Sequence, residues 1–176
     1  MSNQYEIRLS GAGGQGLILA GIILAEAAIK DGKNAVQTQS YGPEARGGAS
    51  KSEVIISNKE INYPKVRKCD LLLALTQKAC DEYIDSLKKD GILIVDNSVE
   101  VKRKDIKKFK LPVIETANEK LKVPMVANIV ALGAICKASS IVTKDSLENA
   151  ILNRVPRGTE DINKTAFEKG LNLINN

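Results

Sequence analysis

Tyr5-Glu6-Ile7-Arg8-Leu9-Ser10-Gly11-Ala12-Gly13-Gly14-Gln15-Gly16 runs without a break into Leu17-Ile18-Leu19-Ala20-Gly21-Ile22-Ile23-Leu24-Ala25-Glu26-Ala27-Ala28-Ile29-Lys30, and these two segments decide the fold. Tyr5 to Ser10 alternates in polarity and then meets glycines, the pattern of a short strand that ends in a tight turn. Leu17 to Lys30 is apolar almost all round, as expected of a helix buried against a sheet. Gly32 stands where a C-terminal cap belongs, and Ala35 to Ser40 reads as a second strand.

Outward from this unit, Ser40 to Ser50 contains Gly42, Pro43, Gly47 and Gly48, which stop both helix and strand and leave a loop. Ser52 to Ser57 follows as a third strand. Only a glycine-rich loop joins it to the second, with no crossover helix, so the two are expected to run antiparallel. Asp70 to Leu75 is a continuous apolar run, the mark of a strand covered on both faces. A helix over Lys78 to Lys89 and a strand over Ile92 to Val95 complete a βαβ unit. The rest reads as a short strand around Val113 and Ile114, a helix from about Val126 to Lys137, and helices near Lys144 to Asn153 and Asn163 to Ile174. The alternation predicts an α/β fold: one Rossmann-like, doubly wound domain over residues 1–176, mainly parallel with one antiparallel strand. Its ligand edge lies at the carboxyl ends of the strands.

Composition narrows the chemistry. A chain of 176 residues fits one α/β core without staples. Aromatic residues make up 3% and Trp is absent, so the core is aliphatic and a base-stacking platform is poorly supplied, which argues against nucleic acid. The net charge of +5 has one concentration, at Lys102, Arg103, Lys104, Lys107, Lys108 and Lys110. It reads either as a solvated helix or loop face or as a dock for an acidic partner. Cys69, Cys80 and Cys136 are too far apart for a cluster or zinc motif and read as buried free thiols. Histidine is absent, which removes Ser-His and Cys-His nucleophiles and histidine zinc sites from this chain. With no signal peptide and no apolar run long enough for a bilayer, the expectation is a cytoplasmic protein away from the membrane.

Gly11, Gly13, Gly14, Gln15 and Gly16 lie in a G-x-G-x-x-G turn between strand and helix. Glycines there let backbone N–H groups approach an anion at the positive end of a helix. They also let helix and sheet pack closely, and both readings stand. An ordinary nicotinamide site places an acid at the end of the second strand, yet this one ends Thr38, Gln39, Ser40. The Lys-Ser or Lys-Thr pair of a P-loop is missing too. In the loop Ser40-Tyr41-Gly42-Pro43-Glu44-Ala45-Arg46-Gly47-Gly48-Ala49-Ser50, Arg46 offers a planar fork for phosphate or carboxylate, or a partner for Glu44.

Taken together, GAGGQG after the first strand and SYGPEARGGASKSEV after the second resemble the gamma subunits of 2-oxoacid:ferredoxin oxidoreductases, the 2-oxoglutarate type more than the pyruvate type. Pro124 to Ala134, with Asn128 before Val130-Ala131-Leu132-Gly133-Ala134, is similar to the family's loop-to-helix segment. The resemblance thus covers nearly the whole chain. It implies one subunit of an enzyme that decarboxylates a 2-oxoacid with thiamine diphosphate, passes electrons through iron–sulfur clusters to ferredoxin, and transfers the acyl group to coenzyme A.

This sequence has no GDG-type diphosphate and magnesium motif and no cluster cysteines, so the resemblance assigns thiamine diphosphate, Mg and the clusters to partner chains: alpha, beta and a ferredoxin-like delta subunit. Coenzyme A enters as co-substrate. The resemblance implies that Gly11, Gly13, Gly14, Gln15 and Gly16, together with Ser40, Tyr41, Gly42, Pro43, Glu44, Arg46, Gly47 and Gly48, face the coenzyme or acyl pocket. Asn128 either joins them or is a plain helix cap. No residue is assigned as a catalyst or a metal ligand. A free-standing nucleotide- or coenzyme A-binding regulatory module, which tolerates a monomer or homodimer, and a purely structural subunit are the alternatives.

Overall fold

A computed structural model describes residues 4–40 and 49–175. β1 (Gln4–Gly11) is followed by α1 (Leu17–Lys30), β2 (Asn34–Gln39), β3 (Ser50–Ser57) and β4 (Cys69–Ala74). Then come α2 (Gln77–Tyr83), β5 (Leu87–Asp96), β6 (Lys107–Leu111) and the short turn α3 (Val113–Glu115). The helices α4 (Ala127–Ser139), α5 (Lys144–Arg154) and α6 (Glu160–Leu173) end the chain.

The six strands form one sheet in the order β2-β3-β1-β4-β5-β6. β3 runs antiparallel to both of its neighbours, as the short β2–β3 connection demands, while β1, β4, β5 and β6 are mutually parallel. Alternation along β1 sorts the two faces. Ile7 and Leu9 point into an aliphatic core beneath α1 and α4, and Arg8 and Ser10 point to the other side.

On the first face α1 and α4 are sandwiched. They touch the sheet inside, with α5 packed on α1 and α6 packed on α4, which is why both are apolar all round. α1 closes as a Schellman cap. Lys33 N–H donates to the Ala28 carbonyl at 3.0 Å, and Gly32 sits at φ +77°. The α4–α6 crossing is set by two glycines: a Cβ on Gly133 would lie 2.4 Å from the Phe167 oxygen, and one on Gly170 would lie 2.0 Å from the Val130 oxygen.

Among the described residues, the second face carries α2 and two irregular segments, 58–68 and 99–106. A buried ion pair holds them. Arg8 and Glu53 meet at 3.1 Å with both side chains about 93% buried. Glu53 Oε2 accepts Val66 N–H at 3.0 Å, and Arg8 donates to the Val66 carbonyl at 2.9 Å and to Ser86 Oγ. The pair thereby pins segment 58–68 to the sheet.

Three expectations are corrected. The helix expected over Lys78 to Lys89 ends at Tyr83, because Leu87 is drawn into the second-face core and pairs with Cys69, so β5 begins there. The strand expected at Val113 and Ile114 lies earlier, at Lys107–Leu111; Pro112 ends it, and Val113 opens α3. The lysine cluster is therefore neither helix nor plain loop along its second half. Lys108 and Lys110 alternate with the inward Phe109 and Leu111 on an edge strand. Finally, Asn128 lies inside α4, and Val126 occupies the cap position.

Candidate functional site

The carboxyl ends of the parallel strands, where a ligand edge is expected, bring the glycine turn, the ends of the 40–49 loop and the start of α4 together. Leu75 N–H donates to the Ser10 carbonyl at 3.0 Å, so β4 closes beside β1. Gly11 is paired with Ser50, and Ser10 Oγ donates to the Ser50 carbonyl at 2.9 Å. Ser40 N–H reaches the Lys51 carbonyl at 3.4 Å, and Ala49 is buried with its N–H toward Glu82 Oε2 at 3.4 Å. The loop thus leaves and re-enters the sheet next to the glycine turn. Tyr41, Gly42, Pro43, Glu44, Arg46, Gly47 and Gly48 lie outside the described residues.

Within the turn, the glycines differ in what they meet. A Cβ on Gly11 would lie 2.2 Å from Gln15 Oε1, because the Gln15 side chain folds back and accepts the Ala12 N–H at 2.8 Å. Gln15 is thus turned inward to close the loop. Gly16 sits at φ +72°, where a Cβ would also meet Asn128 Nδ2 at 2.5 Å, and Gly14 sits at φ +84°. Gly13 meets neither condition. Its φ is not positive, and among the described residues a Cβ there would find nothing within 4 Å, so neither its conformation nor its described neighbours require a glycine at this exposed position.

Two helices, α1 and α4, begin at this spot. Among the described residues, neither helix has a capping side chain before it or an acid in its first turn, but α4 has its Ala127 N–H on the Pro124 carbonyl and its Ile129 N–H on Asn128 Oδ1, so the N–H groups left open at this spot are chiefly those of α1. Asn128 ties them together: 4% exposed, it donates from Nδ2 to the Gly16 carbonyl at 3.1 Å and accepts Ile129 N–H at 2.9 Å. It braces the turn from behind, which neither of its expected roles, ligand contact or cap, had included. Met125, 84% exposed, stands at the entrance to α4.

The sequence reading passed over Asp96, at the end of β5. Its Oδ2 accepts both the backbone N–H and the hydroxyl of Ser98, and its Oδ1 accepts Ile114 N–H at 2.9 Å. That set of donors makes it a joint between β5 and α3. The D-x-S spacing at Asp96 and Ser98 was its signal. Cys69, Cys80 and Cys136 are buried free thiols, as their spacing suggested, and burial pushes all three above the ordinary thiol range, away from nucleophilic use. Among the described residues, no three His, Cys, Asp or Glu side chains are grouped to hold a metal ion. No helix among them is long and apolar enough to cross a membrane.

Residues 6–173 match the family model for pyruvate ferredoxin/flavodoxin oxidoreductase. The chain belongs to that family. Among curated members, the 2-oxoglutarate synthase subunit KorC of Methanocaldococcus jannaschii is 54% identical over 94% of this chain and 91% of its own length. The crystal structure of a keto/oxoacid ferredoxin oxidoreductase gamma subunit from Geobacter sulfurreducens superimposes with a TM-score of 0.87 at 52% identity, covering 96% of both chains. The same fold recurs at 22% identity, with a TM-score of 0.87 over 98% of this chain, in 31% of the longer chain of the Magnetococcus marinus 2-oxoglutarate:ferredoxin oxidoreductase. The family resemblance read from GAGGQG and SYGPEARGGAS thus extends along the whole fold.

Proposed function

We propose that this chain is the gamma subunit of a cytoplasmic 2-oxoglutarate:ferredoxin oxidoreductase, residues 1–176 forming one gamma-type domain. It works with alpha, beta and ferredoxin-like delta chains. In the overall reaction the oxoacid loses its carboxylate as carbon dioxide, its acyl group goes to the sulfur of coenzyme A, and two electrons leave through the clusters to ferredoxin. Thiamine diphosphate, Mg and the clusters sit on the partner chains. The oxoacid assignment is supported by the 54% identity with the 2-oxoglutarate synthase subunit.

The observation that supports a binding role for this chain is Gly13, an exposed glycine that none of its described neighbours requires, beside the uncapped N-terminus of α1. A side chain at that place would hold a ligand off the backbone N–H groups. The reading gives Gly13, Gly14 and the backbone before α1 the task of holding an anionic group, a phosphate of coenzyme A or a carboxylate. Arg46, from the neighbouring loop, supplies the charge. Gly11, Gln15, Gly16 and Asn128 hold the turn in shape.

The test is reconstitution with the partner chains and assay of ferredoxin or viologen reduction against a panel of oxoacids. The chain alone is expected to be inactive. The complex is expected to reduce the acceptor with 2-oxoglutarate and coenzyme A at about tenfold or greater kcat/KM than with pyruvate. Preference for pyruvate would overturn the substrate, and turnover by the chain alone would overturn the subunit reading.

A further inference from the structure

The two outer strands of the sheet are guarded differently. β6 carries Lys107, Lys108 and Lys110 in five residues, all exposed, and such an edge repels an incoming strand. β2, at the opposite end, reads Asn-Ala-Val-Gln-Thr-Gln, with no charge and no proline. Its pairing with β3 runs unbroken from Asn34 to Gln39, without a bulge. Its other side has no strand neighbour among the described residues.

A groove of about 500 Å³ lies at the first half of β2, lined by Ile29, Lys33, Asn34, Ala35, Val36, Glu60 and Ile61. Ile29 is 59% exposed on the otherwise buried helix α1. The groove holds one base and one acid. The Lys33 ammonium is already engaged by the Ile141 carbonyl.

We infer that the open edge of β2 is a strand-addition site, occupied in the assembled enzyme by an extended, uncharged segment of a partner chain. The inference rests on the multi-chain reading above. The segment pairs its backbone with Ala35–Thr38 and seats an apolar side chain between Ile29 and Ile61, the way peptides extend exposed sheets. Charge selects it. An acidic segment is drawn to the lysines of β6, while β2 carries no charge and its groove sets Lys33 against Glu60, which suits a neutral strand.

A second copy of this chain fits less well. Pairing β2 with itself involves a strand only about 20 Å long and leaves the contact well short of the roughly 800 Å² per partner of a stable interface. A partner segment avoids that shortfall, because β2 leads through Ser40 directly into the carboxyl edge, where the same partner would make further contacts.

Hydrogen–deuterium exchange on the chain alone and on the reconstituted complex decides the matter. The amides of 35–38 that point away from β3 exchange freely in the isolated chain and slow by about 100-fold or more in the complex, while those on the outer side of β6 do not change. Ile29→Glu is expected to weaken assembly about tenfold and to leave the melting temperature of the isolated chain unchanged. A fully assembled, active complex without protection at β2, or normal assembly of Ile29→Glu, would overturn the inference and leave the subunit reading intact. Failure of the chain to bind any of the partner chains would remove both. Protection that grows with concentration of the isolated chain, alongside a dimer mass, would assign the edge to a second copy and overturn the partner.

Discussion

The two faces of the sheet are built on different physics. On one, four helices in two tiers bury an aliphatic core, and the fit is so close that Gly133 and Gly170 leave no space for a methyl group between α4 and α6. On the other, the described residues that cover a smaller core are one short helix and two irregular segments, and a buried Arg8–Glu53 pair with ties to Val66 and Ser86 holds them down. A thick face can be specified by shape. A thin one has too little apolar surface and uses directed polar bonds, whose removal is felt sharply because the surviving charge stays buried.

The largest effect is therefore expected on the thin face. Glu53→Ala strands the Arg8 guanidinium and the Val66 N–H, and a loss of about 3–5 kcal/mol should appear in chemical denaturation. Replacing both members, Arg8→Met with Glu53→Leu, should recover part of that loss, since the guanidinium is no longer buried without its partner; Lys51, which also pairs with Glu53 at 3.1 Å, is partly exposed and can turn to solvent. A double variant as unstable as the single one would break the contrast between the faces. On the thick face, Gly170→Ala drives a methyl into the Val130 carbonyl and should cost about 3 kcal/mol, with a drop in melting temperature of about 10 °C. A neutral result there would mean that α4 and α6 can part without cost.

Asn128→Ala removes one hydrogen bond between α4 and the glycine turn, and about 1 kcal/mol is expected. The smallest effect is pH-dependent and ties the two helical tiers together. Burial raises the Asp31 carboxyl, but hydrogen bonds from Ser146 and from the N–H and hydroxyl of Thr143 outweigh it and hold the group below the usual aspartate range. A carboxyl depressed in the folded state stabilises the fold above its unfolded pKa, near 3.9, and that contribution fades as pH falls below this value. Asp31→Asn should flatten the acid limb of a stability–pH curve and lower its plateau above about pH 6 by the contribution the ionised carboxyl made, so that wild type and variant converge in acid.

The same contrast explains what could be read from the residues alone. α1 was legible from Leu17 to Lys30 because a sandwiched helix is apolar all round and ends on Gly32. α2 was not: its pattern runs on past Tyr83, but Leu87 is claimed by Cys69 across the sheet, a long-range demand that local periodicity does not carry. β6 could have been found from the alternation of Lys108, Phe109, Lys110 and Leu111, which the charge of the segment obscured. At the candidate site, the glycine turn and its place on a strand–helix junction were legible. The bond from Asn128 to Gly16 was not, since 112 residues separate them, and neither was the difference between Gly11 and Gly16, which are crowded by Gln15 and Asn128, and Gly13, which no described neighbour crowds.

Arg46→Ala in the reconstituted complex tests the proposed anion site most directly, with coenzyme A and oxoacid varied separately and a thermal melt run alongside. Loss of a charge-assisted contact should raise the affected KM, or lower the rate, by about 10- to 150-fold, with assembly and melting temperature unchanged. Normal kinetics in a fully assembled complex would contradict it.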